Sequence, residues 1–302
     1  MTFGHASTVE ILSRLQGVER GSFGFFGPEH VGKHRMGESF ARELLAHPEP
    51  LPLTAHPDFA LYDAQAVKQD AQIVEKAEHC RAWLERVHQT SARGGRRVFL
   101  LDHVEAFTMH AFNALLKTLE EPNAGVVFLV IVSREALLPA TVRSRLVPLH
   151  FGALSLGELQ ALCRAQNMDE AWAKEAYGRP GLLVRRKEDP SWWDGIMRSA
   201  VEMVSAVDAR AMGALVGCID AFQKRAEGGS SSPAQDWRLL LFLVQQRFLL
   251  REPFNHEDAH GISLAWRWLE GTIPSRTGLE WNMLRVLRPH DAPFHLLRDL
   301  EV

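Results

Sequence analysis

The chain has 302 residues, 46% of them hydrophobic and 24% charged, with a formal net charge of -3. At roughly 100–200 residues per domain this predicts two or three domains with cores of useful size, and the slightly acidic balance excludes a strongly basic module that grips nucleic acid by itself. Three scattered cysteines, Cys80, Cys163 and Cys218, form no Cys-x-x-Cys pair, so neither a zinc site nor a disulfide framework is expected, only buried thiols. The opening MTFGHASTVEILSRL lacks a basic start followed by an apolar run, which argues against a signal peptide. No apolar stretch approaches the ~20 residues that cross a bilayer. A cytoplasmic protein without a membrane partner is expected.

In chain order, residues 22–26 are an aromatic and apolar run that ends at Gly27, predicting a strand, and a helical pattern follows over 33–46. Residues 51–57, rich in proline and polar groups, read as a loop. A strand is expected over 59–62, a helix over 73–90 and a turn over 91–95. Residues 98–101 are apolar and close on Asp102, which suits a strand buried on both faces. An amphipathic helix over 109–119 is broken by 120–125, and 126–132 is a second buried strand. Strands alternating with helices predict a parallel sheet covered on both faces, an α/β fold.

Beyond Phe151 the pattern becomes helical. Residues 155–165 begin with Ser155 as N-cap and Glu158 three positions on, a capping box. A helix over 169–177, a break at 178–181 and renewed helix from Leu182 follow, then a linker near 188–190. The remainder is mostly helical, with the loop EGGSSSP at 227–233 and apolar-sided helices at 236–250, 264–269 and 279–287. The organisation expected is a domain over 1–151, a small helical domain over 152–188 and a C-terminal helical domain over 191–302.

Gly27-Pro-Glu-His-Val-Gly32-Lys33-His34 fits the phosphate-loop pattern G-x-x-x-x-G-K up to its last position. Glycines let backbone N–H groups curl around phosphate oxygens, the helix N-terminus adds partial positive charge, and lysine reaches the outer phosphates. The hydroxyl that holds Mg²⁺ is replaced by His34, and imidazole is a poor ligand for a hard, oxygen-seeking ion. Asp102 closes its strand as a Walker B acid does. The next position, where an active enzyme carries a water-positioning glutamate, is His103, followed by Val104 and Glu105. Asp102 equally suits a strand-end residue that caps the next segment. His30 and His34 flank the loop, four apart, but nothing acidic or sulfur-bearing is expected in place to complete a metal site. Trp192, Trp193, Trp266 and Trp268 sit among leucines and methionines and read as packing residues. Arg93-Gly-Gly-Arg-Arg97, with Ala92 before it, reads as a solvated basic turn.

The segment Phe112-Asn-Ala-Leu-Leu-Lys-Thr-Leu-Glu-Glu-Pro122 closely resembles the NALLKTLEEP segment of bacterial clamp-loader gamma and delta-prime subunits. Other segments follow in that family's order. Gly27–Lys33 resembles its GPEGVGK loop and His56-Pro57-Asp58 its HPD segment. Ser133, after the 128–133 strand, falls at sensor 1. Thr141-Val-Arg-Ser-Arg145 resembles TIRSRC, Gly178-Arg-Pro-Gly181 the GSPG turn of the lid, and 278–287 the closing helix of the collar.

The resemblance implies an AAA+ fold: a P-loop domain, a helical lid and a C-terminal collar that assembles with other subunits. It implies gamma/tau-type and delta-type subunits and the sliding clamp as partners, with primed DNA met mainly through the complex. It makes Gly27, Gly32, Lys33, His34, Asp102 and Ser133 a nucleotide site lacking its hydrolytic groups, because the sensor-2 arginine would fall near Gly181. No zinc is expected, since 43–54 carries none of the cysteines of the family's zinc module, and the most that the loop retains is ATP or ADP held without hydrolysis. Arg145 is the implied arginine finger, acting in a neighbour's site, with Arg143 a weaker candidate. The implied function is that of a stator-like, delta-prime-type subunit, with an active gamma-like ATPase as the alternative.

Overall fold

The computed structural model describes residues 4–64, 83, 85–209, 212–227 and 233–249. The helices expected at 264–269 and 279–287, the collar segment 278–287, Trp266, Trp268 and Cys80 lie outside these residues, as does most of the helix expected over 73–90. The chain divides into two units, Met1–Lys187 and Glu188–Val302.

Unit one is built on a five-stranded sheet: β1 (Gly21–Phe26), β2 (Phe59–Asp63), β3 (Arg97–Asp102), β4 (Val126–Val132) and β5 (Val147–His150), in the order β2-β3-β4-β1-β5. Every pairing is parallel. β3 and β4 are buried along their whole length, as their uninterrupted apolar runs require. Alternate residues feed two cores. Phe99, Leu101, Phe128 and Val130 pack on one face with Phe112 and Leu115 of the helix α3 (Met109–Glu120). Val98, Leu100, Val127 and Leu129 pack on the other with Met36 and Phe40 of α2 (Lys33–Leu44), where α1 (Ala6–Arg14) adds Leu12. With the phosphate loop after the interior strand β1 and a helical segment after the sheet, this is the arrangement expected of an AAA+ fold.

Three elements escape the sequence reading, the helix α1 among them. β5 is exposed except at Leu149 and contains Pro148, so it has neither an apolar run nor a full set of donors; it succeeds as an edge strand beside β1. The short helix α4 (Ala140–Arg143) is only one turn. The expected basic turn at 93–97 is also corrected. Arg97 is buried, donates to the carbonyls of Arg86 and Gln89, and lies 3.9 Å from Asp58. Asp58, the acid of the HPD segment, also accepts Ala92 N–H at 2.8 Å and Arg93 N–H at 3.2 Å, so it fastens the turn to β2.

In the helical segment, α5 (Leu156–Ala165) starts with the expected capping box. Ser155 Oγ accepts Glu158 N–H at 3.3 Å and Ser155 N–H donates to Glu158 Oε2 at 2.8 Å. The helix expected over 169–177 contracts to α6 (Trp172–Glu175). The break expected over 178–181 ends early, because α7 (Pro180–Glu188) begins with proline, whose missing N–H costs nothing in a first turn. The expected linker shrinks to Asp189, which caps α8 (Pro190–Asp208) by accepting Trp192 N–H at 2.9 Å.

In unit two, α8, α9 (Met212–Glu227) and α10 (Pro233–Leu249) enclose Trp193, Ile196, Phe222 and Trp237. The Phe222 and Trp237 rings meet edge-on at 4.5 Å. Trp192 donates its indole N–H to Asp236 Oδ1 at 3.1 Å, so both tryptophans pack as expected. The apolar residues from Leu239 to Val244 are buried within this unit. No helix among the described residues is long and apolar enough to cross a membrane.

Phe128 is wholly buried where both neighbouring strands meet. Phe128→Ala is expected to cost about 3–5 kcal/mol, read as a lower urea midpoint for the transition that monitors unit one.

Candidate functional site

The register sets Phe26 level with Val132 and His150, and Asp63 level with Asp102. The carboxyl ends of the strands therefore share one edge, where open parallel sheets gather their functional loops. Gly27 N–H continues the ladder to Val132 O at 3.2 Å. Gly27 has φ 154°, and a Cβ there would lie 2.1 Å from the Phe151 carbonyl oxygen, so no other residue can open this loop without moving the strand end. The loop closes at Gly32, and α2 starts at Lys33.

Lys33 is buried, and its ammonium donates to the loop's own carbonyls, Gly27 O at 2.7 Å and Pro28 O at 2.5 Å. Burial lowers its pKa to about 8, against the fields of Glu105, Glu29 and Asp102. The next side chain, His34, crosses to the neighbouring strand and donates Nδ1–H to Asp102 Oδ2 at 2.5 Å, with Nε2 3.5 Å from Glu38. The hydrogen bonds from Asp102 and Glu38 raise its pKa to about 10, so His34 is a cation at neutral pH. Asp102 is buried, and its second oxygen accepts His103 N–H at 2.8 Å. The His103 ring donates to Asp63 Oδ1 at 2.9 Å. Burial opposes charge on that ring, but the Asp63 hydrogen bond and the fields of Asp102, Asp63 and Glu105 outweigh it and raise its pKa. The acid that the sequence does not place beside His34 thus comes from β3. Among the described residues no group of three or more potential ligands is placed to hold a metal ion.

Glu105 lies a turn beyond Asp102, and burial raises its pKa. Its Oε1 accepts Ser133 N–H at 3.1 Å, which ties the sensor-1 position to the acid-bearing turn. On the lid side, Gly181 N–H donates to His30 O at 2.8 Å. A Cβ at 181 would lie 3.0 Å from that oxygen and 3.1 Å from His30 Cα, so the lid turn sits directly on the phosphate loop and any side chain there must push the His30 backbone back by a few tenths of an ångström. The His30 ring is driven to a pKa of about 4, chiefly by burial, and is neutral. Arg179, two residues before Gly181, is pushed down to about 10 by burial against the field of Glu29, and its charge is felt at both Lys33 and His30.

The edge therefore gathers Gly27, Gly32, Lys33, His34, Asp102 and Ser133, and adds Glu38, Glu105 and Arg179. The sequence signal for Glu105 was its spacing after Asp102. Arg179 stood inside a segment that reads as a turn, and Glu38 is one helical turn after His34.

The two candidate fingers make their contacts elsewhere. Arg145 donates from Nη1 to Thr141 O at 2.6 Å and from Nη2 to Glu120 Oε2 at 3.0 Å. Arg143 pairs with Glu135 at 3.3 Å, both exposed.

Residues 16–155 match a family model described as DNA polymerase III, delta subunit. The DNA polymerase III subunit tau of Salmonella typhimurium is 31% identical over 208 residues, covering 65% of this chain and 32% of that protein. The DNA polymerase III subunit delta' of Pseudomonas aeruginosa is 32% identical over 148 residues, 43% of this chain and 44% of that one. The chain thus spans less than half the length of either relative. Among solved structures, a DNA polymerase III gamma subunit-related protein of Thermotoga maritima aligns over 93% of this chain and 97% of its own, at 14% identity and a TM-score of 0.46. Residues 16–155 are thus similar to DNA polymerase III subunits of the tau and delta' type.

Two outcomes test this geometry. Gly181→Arg is expected to cost roughly 1–3 kcal/mol by overpacking, read as a lower melting midpoint, and to leave ATP turnover where it was. For His34, the pKa rises from 6.5 unfolded to about 10 folded, so its stabilising contribution is complete below pH 6.5 and disappears as pH climbs towards 10. The gap in melting midpoint between wild type and His34→Gln should be widest near pH 6 and close by pH 10, with its size reduced by solvent because the ring is 43% exposed.

Proposed function

We propose that this chain is a clamp-loader subunit of stator-like, delta-prime type: it hydrolyses no ATP itself and lends Arg145 to the nucleotide site of a gamma/tau-type neighbour. The observation that carries this reading is the engagement of Asp102. One oxygen is taken by the His34 imidazolium and the other by His103 N–H. Mg²⁺ takes oxygen ligands at about 2.0–2.1 Å, and here it would have to displace a cation already paired with its carboxylate. The residues do not fit the metal.

The loop itself still fits a phosphate. Backbone N–H groups at the start of α2 and the Lys33 ammonium would meet its oxygens, with Lys33 leaving the carbonyls of Gly27 and Pro28. ATP or ADP bound there would supply only its phosphate charge, held without turnover. Gly181, packed on His30, supports the same reading because it brings no sensor-2 side chain to the loop. No zinc enters it.

Arg145 differs from these groups in standing outside the loop cluster, on a surface that a neighbour can reach. A positive charge brought to a transferring phosphoryl group is worth ~10³–10⁵ in rate where such fingers are used. In this reading the C-terminal helices assemble with gamma/tau-type and delta-type subunits. The complex opens the sliding clamp on primed DNA and works in the cytoplasm.

A second reading, an active gamma-like ATPase, draws on Glu105, a buried carboxylate whose field reaches Lys33. Turnover by the isolated chain, abolished by Glu105→Gln, would favour it over the stator.

The deciding measurement is DNA- and clamp-stimulated ATPase of the reconstituted loader with Arg145→Ala. A fall of about tenfold or more, with the complex intact by size exclusion, is expected. Unchanged turnover in an intact complex would remove the finger and leave this chain a spacer.

A further inference from the structure

We propose that Glu120 is a positioning residue for Arg145, holding the guanidinium in the orientation in which it meets a neighbour's phosphate; this rests on the finger reading above. The argument begins with how firmly each end of the pair is held. Glu120 is the last residue of α3. Its predecessor Leu119 is buried, and the Leu119 carbonyl, which has no helical partner at a C-terminus, accepts the hydroxyl of buried Ser22 on β1 at 3.1 Å. Pro122 follows and prevents the helix from continuing. The backbone that carries Glu120 is therefore tied to an interior strand of the sheet, β1.

Arg145 sits between buried Val142 and buried Leu146, one turn after α4 begins. Its Nε is buried with no hydrogen-bond partner, Nη1 is spent on Thr141 O and Nη2 on Glu120 Oε2. Of the five N–H groups of a guanidinium, one is thus buried, two are held by the chain itself, and one on each Nη remains for an incoming anion. The side chain is 27% exposed and Glu120 57%. The arginine is the more enclosed partner, while the carboxylate stays in water, where an ion pair is weak. Such a pair fixes geometry without binding the charge so tightly that a phosphate cannot recruit it. A side chain ordered in advance also loses less freedom on contact. Without Glu120, only the Thr141 carbonyl would restrain the fork.

The test uses the reconstituted loader carrying Arg145→Ala, Glu120→Ala, Glu120→Gln, or Glu120→Ala together with Arg145→Ala, each checked for assembly by size exclusion. Glu120→Ala is expected to lower kcat roughly two- to tenfold and to leave KM for ATP unchanged, because a finger acts on the transition state. Glu120→Gln should recover most of the loss, since its amide oxygen still accepts Nη2–H. In the Arg145→Ala background, Glu120→Ala should remove nothing more. Three results overturn the proposal while the finger stands: no effect of Glu120→Ala where Arg145→Ala is slow, losses that multiply in the double variant, or a rise in turnover, which would make Glu120 a restraint. If Arg145→Ala itself is without effect, the finger falls, and Glu120 has nothing to position.

Discussion

A parallel sheet covered on both faces has no polar surface of its own, and here β3 and β4 are buried from end to end. Side chains that carry charge can leave such strands only where the strands stop. The register makes that stop common to the whole sheet: Phe26 beside Val132, Asp63 beside Asp102. The phosphate loop, Asp102, the Glu105 turn and Ser133 are brought together because the apolar layers forbid them any other place. Gly27 completes the constraint by letting the loop start hard against the Phe151 carbonyl.

The charges gathered on that edge are largely settled among themselves. A buried carboxylate is tolerated when it is paired and hydrogen-bonded, and Asp102 has both an imidazolium and a backbone donor. His34 is protonated because of Asp102 and Glu38, and Asp102 can stay buried because of His34. Lys33 turns back on the carbonyls of its own loop. His30 escapes the accumulation of charge by being neutral. The same substitution that removes a hydroxyl at position 34 therefore also supplies the cation that satisfies the acid.

What was legible in the sequence follows from the same physics. Strands buried on both faces announce themselves as unbroken apolar runs, so β1, β3 and β4 could be placed within a residue, as could α3. Ser155 and Glu158 marked a helix start because both halves of a capping box are local. β5 was not legible, since an edge strand with one buried side chain has no pattern to read. The pairing of His34 with Asp102 was not legible either, because it joins residues 68 positions apart and depends on the strand order. Arg97 looks in sequence like part of a solvated turn, but the carbonyls of Arg86 and Gln89 hold it inside, beside Asp58 just ahead of the adjacent strand. Gly181 was read as an arginine lost, whereas the fold also favours a small residue there, because the lid turn rests on the His30 backbone.

Arg145 illustrates the opposite situation. The inner edge ties its charges into pairs within a low-dielectric environment, where opening a pair is expensive. Arg145 is held at the surface by a solvated carboxylate and a carbonyl, contacts strong enough to orient a side chain and weak enough to be exchanged. A residue that must meet a charge from another subunit needs that second kind of environment, because an ion pair sealed in the interior would have to be broken before it could act. On this view the chain's own site and its proposed contribution to a neighbour's site are separated by how their charges are solvated. The inner charges maintain the fold of the loop, and the outer one remains available to a partner.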